Sequence, residues 1–124
     1  MSTSQQTEHK YLINCDHGAN DIERATIAFV LAVTASKTCE TAVFATADAA
    51  GICVRGGAAG LLAEGYEPLA ELMATYRSNG GKIWLCPACA KAKGIGQADL
   101  ADGVEIAGAP RTMAFLADGA QVLA

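Results

Sequence analysis

The sequence lacks any apolar run long enough to cross a membrane or to form the core of a signal peptide. The first ten residues, MSTSQQTEHK, are polar, and the longest apolar region, Ile27–Val33, is interrupted by Thr34 and Ser36. A membrane helix needs about 18 consecutive apolar residues. We therefore expect a cytoplasmic protein with no membrane partner, in a compartment that keeps thiols reduced.

Positive charge is also scarce. Lys and Arg number 9 against 13 Asp and Glu, which gives a net charge of −4, and the basic residues are scattered singly. Binding of a nucleic-acid backbone needs a clustered basic face, and a phosphate-binding loop needs a glycine-rich motif that this chain does not contain. We expect no direct nucleic-acid partner.

Metal ligands are few. The chain has 2 histidines and 5 cysteines, and only Cys86 and Cys89 form a Cys-x-x-Cys pair. A zinc site usually takes about four ligands from two such pairs, so a metal clamp is the weaker interpretation, and we predict neither a metal nor a cofactor. An odd number of cysteines in a reducing compartment favours thiols over a disulfide framework.

Apolar sequence, by contrast, is abundant. It makes up 52% of the 124 residues, with 18% charged, which is typical of one globular domain. Continuous apolar runs alternate with helical patterns, as in parallel strands covered on both faces. We predict a single-domain, three-layer α/β/α fold with a mostly parallel sheet, formed by residues 10–124 after a flexible lead-in at 1–9. The sheet should have about five strands, at 11–16, 41–47, 82–86, 104–107 and 120–123.

The predicted helix over residues 21–37 is apolar nearly all round, so it should be buried on more than one side. A second helix has Pro68 in its first turn and stops at Gly80 and Gly81, and shorter helices are predicted at 88–93 and 112–116. Residues 51–65 fit a short helix, a loop or both. Because one sheet face cannot cover so much apolar surface, we predict a homo-oligomer with the 21–37 helix or the 51–65 segment at its interface.

Cys86 stands where parallel α/β sheets place their chemistry, at the carboxyl end of a strand. Pro87 suits the first position of a helix, which makes Cys86 the predicted N-cap residue. The amides of Ala88 and Cys89 would then point toward the Cys86 sulfur, and the helix dipole would favour its thiolate. A thiol in that position is acidic and nucleophilic. We predict Cys86 as the catalytic thiol and Cys89 as either a resolving thiol or the inward face of the helix.

Other loops at the same edge supply candidates for lining this crevice. Each charged or imidazole side chain among them is more often a solvated loop residue, and cysteines elsewhere in the chain are more often inert core thiols. The candidates are His17, Asp48, Cys53, Arg55 and Arg111.

Four segments together resemble the DsrE/DsrF-like sulfur-relay proteins, which include the TusD-type carriers. They are YLINCDHG, AVFATADAAGICVRGG, GGKIWLCPACAKAKGI and GVEIAGAPRTMAFLADGAQVLA, and they span nearly all of the chain past residue 10. The resemblance implies a compact α/β fold, assembly as a trimer or hexamer, and a cysteine that accepts sulfane sulfur as a persulfide and passes it to a partner protein. That role falls on Cys86. Two departures are the additional Cys89 and Lys93, which stands where an arginine is common.

The leading hypothesis is therefore a sulfurtransferase-like carrier with sulfur donor and acceptor proteins as partners. An alternative is a dithiol–disulfide oxidoreductase that uses Cys86 and Cys89, since one Cys-x-x-Cys at a helix start is that chemistry. Another is a non-enzymatic oligomeric module that binds a small ligand at the strand ends, with the cysteines incidental.

Overall fold

A sheet of five parallel strands forms the centre of the molecule. The structure, a computed structural model, describes residues 9–123, so the predicted lead-in lies outside the described residues except for His9. The strands are β1 (Lys10–Cys15), β2 (Glu40–Ala45), β3 (Lys82–Leu85), β4 (Val104–Ile106) and β5 (Ala120–Leu123). All five were predicted, and no bound differs from the prediction by more than two residues.

The strands lie in the order β4-β3-β2-β1-β5, and every neighbouring pair is parallel. The first four therefore run outward from β1 in chain order, and the chain then returns to add β5 on the other side of β1. β5 pairs only with Lys10–Ile13, so the last two residues of β1 extend beyond it. The prediction of a parallel sheet is confirmed.

Four α-helices connect the strands, together with three short 3-10 segments. The α-helices are α1 (Ile22–Ser36), α2 (Leu69–Ser78), α3 (Pro87–Ala92) and α4 (Ala109–Ala117), and the 3-10 segments are Ala19–Asp21, Ala47–Cys53 and Gln97–Asp99. Asp21 caps α1, since its side chain accepts a hydrogen bond from the Arg24 amide at 3.1 Å. Pro68 is the N-cap residue of α2 rather than part of its first turn.

Helices cover both faces of the sheet, which confirms the three layers. α1 and α2 pack on one face of the sheet, which holds the larger core cluster. There the rings of Phe29 and Tyr76 meet edge to face, with 5.8 Å between the ring centres. α4 covers the other face, where Phe115 meets Trp84 at 5.4 Å beside a much smaller cluster. The sheet therefore has one thick and one thin covering layer.

The prediction that the 21–37 helix is buried on more than one side was wrong for a single chain. Its buried residues form one stripe, which includes Ala25 and Phe29, because the sheet and α2 contact only that side. Ile27, Val30 and Leu31 remain 37–39% exposed on the opposite side. The 51–65 segment, predicted to be a short helix, a loop or both, consists of the end of a 3-10 segment followed mainly by turns. Within residues 9–123, no helix combines the length and apolarity needed to cross a membrane.

The connections after β3 and β4 leave the sheet toward opposite faces. The segment after β3 contributes Ala90 and Leu100 to the core cluster beneath α1 and α2, whereas the helix after β4 packs its Phe115 on the other side. Neighbouring parallel strands whose connections diverge in this way leave a crevice at their carboxyl ends, where ligands and chemistry collect. Cys86 lies directly after β3, at the carboxyl edge of the sheet to which this rule applies.

Candidate functional site

Cys86 is held by the sheet on one side and by α3 on the other. Its amide donates to the Ala45 carbonyl at 3.0 Å, which extends the pairing of β3 with β2 by one residue. It is then the N-cap residue of α3, with Pro87 in the first turn, as the sequence predicted. The residue is half-buried, so part of it is exposed to solvent at the carboxyl edge of the sheet.

The surroundings of Cys86 favour its thiolate. The backbone amide of Cys89 has the largest influence on the pKa of the Cys86 thiol and lowers it. Burial, the next largest influence, raises this pKa, and the Cys89 side chain and the Ala88 amide lower it further, so that the pKa lies below the ordinary thiol value. Within the described structure the Cys86 side chain makes no capping hydrogen bond of standard geometry. The amides of the first turn therefore act on the sulfur mainly through their dipoles, which suffices to favour negative charge at a helix start.

Cys89 is fixed by a contact with the loop after β2. The Ala47 amide donates a hydrogen bond to Cys89 Sγ at 3.2 Å. Ala47 has φ of +51°, in the left-handed region that costs a residue with a Cβ about 1 kcal/mol or more. This contact could not be predicted from the sequence, because alanine, unlike glycine or asparagine, has no preference for positive φ.

Two further contacts lie at the two ends of α3. Lys93 Nζ lies 3.9 Å from Asp48 Oδ1, which links the end of α3 to the loop after β2. At the other end, a Cβ on Gly108 would lie 3.0 Å from Pro87 Cδ, so the chain leaving β4 passes tightly against the start of α3. Since both partners of the ion pair are largely exposed, it adds little stability, and its effect is to place charge beside the site.

Cys15 and Cys53 lie in the interior, 3% and 1% exposed. Burial raises the pKa of the Cys15 thiol to about 11 and that of Cys53 to about 12. Each thiol donates to a nearby backbone carbonyl at 3.4 Å, Cys15 to His17 and Cys53 to Ala49. The structure therefore separates Cys53, a predicted lining residue, from the solvent-accessible site.

The remaining predicted lining residues are spread over the molecule. His17 follows β1, two strands from β3, and lines a cavity of about 290 Å³ together with Arg24 and Ile27. Arg55 lies beyond the far end of α3, in a depression shared with Ile95. Arg111 pairs with Glu105 at 3.2 Å and lies 5.6 Å from the centre of the Trp84 ring. Among the described residues, the Lys93–Asp48 ion pair connects Asp48 to the end of α3, and roles at the site for all five candidates stay predictions.

The described residues do not bring three or more His, Cys, Asp or Glu side chains together in an arrangement that could hold a metal ion. All five cysteines are thiols. What the site offers is an accessible, acidified thiol with a second thiol one helical turn away.

A family model described as DsrE/DsrF-like matches residues 9–124. The chain belongs to the DsrE/DsrF-like family. The resemblance inferred from sequence is thus confirmed for almost the whole chain, and the family is generally related to sulfur relay.

The chain is also similar to individual proteins and solved structures. Uncharacterized protein MJ0760 of Methanocaldococcus jannaschii is 30% identical over 107 residues, which cover 86% of this chain but 38% of that protein. The crystal structure of the ychN protein from E. coli superposes with a TM-score of 0.72 at 18% identity, covering 93% of this chain and 99% of that one. MTH1491 from Methanobacterium thermoautotrophicum, a protein of unknown function, gives 0.66 at 15% identity, covering 93% and 97%. At these identities the two structures support the fold alone.

Proposed function

We propose that this DsrE-like protein is a sulfur carrier that holds sulfane sulfur as a persulfide on Cys86. The Cys86 thiolate attacks the outer sulfur of a donor persulfide, a new S–S bond forms, and the donor leaves as a thiol. A partner thiol then removes the outer sulfur by the same kind of exchange. The rate of such an exchange depends on the thiolate fraction, so the protein must favour the ionised form of the attacking cysteine.

The observation that carries the proposal is the position of Cys86. It combines the carboxyl end of a strand, partial exposure and a pKa lowered by the first-turn amides of α3. The two interior cysteines have the opposite properties, since burial raises their pKa values. Membership of a family generally related to sulfur relay supports the same chemistry.

The partners that this function requires are a sulfur donor and a sulfur acceptor protein, in a reducing compartment such as the cytoplasm. The chain spans 38% of the length of the curated relative it matches, so the activity of that longer protein is not carried over. We further propose a homo-oligomer, a trimer or hexamer as in the family it resembled by sequence. Its interface would include the exposed apolar patch of α1, formed by Ile27, Val30 and Leu31, each 37–39% exposed.

The direct test of sulfur carriage is intact mass after incubation of the reduced protein with glutathione persulfide and removal of the donor. We expect the parent to gain the mass of one sulfur atom at Cys86, a gain that a reductant removes. Cys39→Ser, which changes another half-buried cysteine, should load like the parent, and Cys86→Ser should not load. Loading of Cys86→Ser to the extent of the parent would contradict the proposal.

Assembly is tested by light scattering at micromolar concentration, on the parent and on a variant with a charge in the exposed apolar patch of α1. Leu31→Glu should shift the parent oligomer toward monomer. Met113→Glu is the matched control, because Met113 is 62% exposed on α4. A monomeric parent, or equal effects of the two substitutions, would argue against this interface.

A further inference from the structure

Cys89 is positioned more firmly than an incidental helix residue. It is half-buried, it lies one turn after Cys86 on α3, and its sulfur accepts the Ala47 amide at 3.2 Å. The loop after β2 therefore fixes the position of the second sulfur, on the helical turn that follows Cys86.

The backbone that supplies this hydrogen bond is strained. Ala47 has φ of +51°, and a residue with a Cβ keeps such a conformation only when its surroundings impose it. Strained residues concentrate at functional sites, where the strain serves a geometry that relaxed backbone does not give. Here the geometry it serves is an amide directed at Cys89 Sγ.

We propose that Cys89 discharges the persulfide of Cys86 as sulfide, which gives the protein a sulfide-releasing activity in addition to sulfur transfer. The inference rests on the proposed function, because a persulfide must first form on Cys86. A carrier needs one thiol. The second thiol, held one helical turn away, gives the bound sulfur an alternative fate when an acceptor is absent.

The reaction is a thiol–disulfide exchange within the pair. The Cys89 thiolate attacks Cys86 Sγ, the Cys86–Cys89 disulfide forms, and the bond from Cys86 Sγ to the outer sulfur breaks. The outer sulfur leaves as hydrosulfide and keeps the persulfide proton. It is reduced by two electrons while the two cysteines are oxidised, so one discharge needs no external oxidant. A further round needs a dithiol reductant to reopen the disulfide.

The experiment follows single discharge after anaerobic loading with glutathione persulfide and rapid desalting. Sulfide in solution, intact mass and a peptide map are measured over time, with no acceptor present. The parent should release up to one sulfide per loaded chain and end at the mass of the reduced protein less two hydrogens, with Cys86 joined to Cys89. Cys89→Ser and Cys89→Ala should still take up one sulfur on Cys86 but release sulfide at least about tenfold more slowly. Cys39→Ser should behave like the parent.

Two results would overturn the inference, and they differ. If the parent loads Cys86 and keeps the persulfide as long as Cys89→Ser does, discharge fails and sulfur carriage stands. Discharge also fails, and sulfur carriage stands, if the sulfur is found on Cys89 and no disulfide has formed. If neither the parent nor the Cys89 variants load sulfur while circular dichroism shows them folded, the proposed function and the inference fail together.

Discussion

Two pairs of cysteines lie near the carboxyl edge of the sheet, and they have opposite properties. Cys15 is the last residue of β1, but the pleat directs its side chain into the core beside Cys53. Cys86 comes one residue after β3, where the chain turns from strand into helix, and Cys89 follows on the first turn. Burial raises the pKa values of the interior pair, whereas first-turn amides lower that of Cys86.

The comparison shows that a place at the end of a strand does not by itself make a thiol reactive. The direction of the side chain decides between a low-dielectric core, which penalises the thiolate, and a helix start, which favours it. One residue of difference in where the strand ends separates the two cases.

The largest effects on stability, of opposite sign, should follow when a carboxylate replaces an interior cysteine or Cys86. Cys53→Asp should destabilise the protein by at least about 3 kcal/mol or prevent folding, because it buries an unpaired charge. Cys86→Asp should raise stability by about 0.5–1 kcal/mol, because aspartate is a preferred N-cap residue and its charge favours a helix start. Urea unfolding gives both free energies. Changes of the same sign and size would show that the two positions do not differ as described.

High pH should destabilise the protein through the interior thiols. Their pKa values rise from 9.0 to about 11 for Cys15 and about 12 for Cys53, so the folded state resists ionisation that the unfolded chain accepts. Their contribution is fully present below about pH 9 and is lost as pH rises through the folded values, by a few kcal/mol in total. Tyr76, whose pKa burial raises to about 12, acts in the same direction, and Cys86, whose pKa is lowered, acts in the opposite one.

Urea unfolding at about pH 8 and about pH 10.5 measures this loss. Cys53→Ala should lose less unfolding free energy than the parent between these two pH values. Its stability should be lower than that of the parent at both, because the substitution leaves a small cavity. Ile52→Val is the control, because it changes a buried side chain that carries no titratable group, and it should keep the pH dependence of the parent. An unchanged pH dependence in Cys53→Ala would mean that its thiol ionises as easily in the folded protein as in the unfolded chain.

Glycine substitutions should sharpen the contrast between the edge loop and the interior at a smaller scale. Ala90→Gly should cost about 1 kcal/mol, since Ala90 lies within α3 and is 2% exposed. Ala47→Gly should leave stability unchanged or raise it by up to about 1 kcal/mol, because glycine accepts positive φ without strain. Thermal unfolding compares the two. A loss at Ala47 as large as that at Ala90 would argue that Ala47 is not strained.

The sequence was sufficient to predict the strands and the position of Cys86, since those depend on local signals. Continuous apolar runs indicate buried parallel strands, and Pro87 marks the first turn of a helix that begins just after Cys86. The family resemblance followed from the same segments. These features need no knowledge of which elements meet in space.

The features that the sequence did not reveal depend on long-range packing. Nothing in a lone alanine predicts the positive φ of Ala47 or its contact with Cys89, 42 residues away. The return of β5 to the side of β1 is a property of topology, and a short strand carries no record of its neighbours. The apolar surface of α1 was recognised, but only the packed chain shows that Ile27, Val30 and Leu31 are left outside.

Alkylation of the native protein measures the difference in reactivity between the cysteines most directly. The edge of the sheet should hold one activated thiol, whereas the interior thiols should be protected. Iodoacetamide is applied in brief pulses at several pH values up to about 9, and peptide mapping gives the rate at each cysteine. We expect Cys86 to react first, with a pH midpoint below the ordinary thiol value, and Cys15 and Cys53 to react only after denaturation. Labelling of Cys53 or Cys39 ahead of Cys86 would contradict the account.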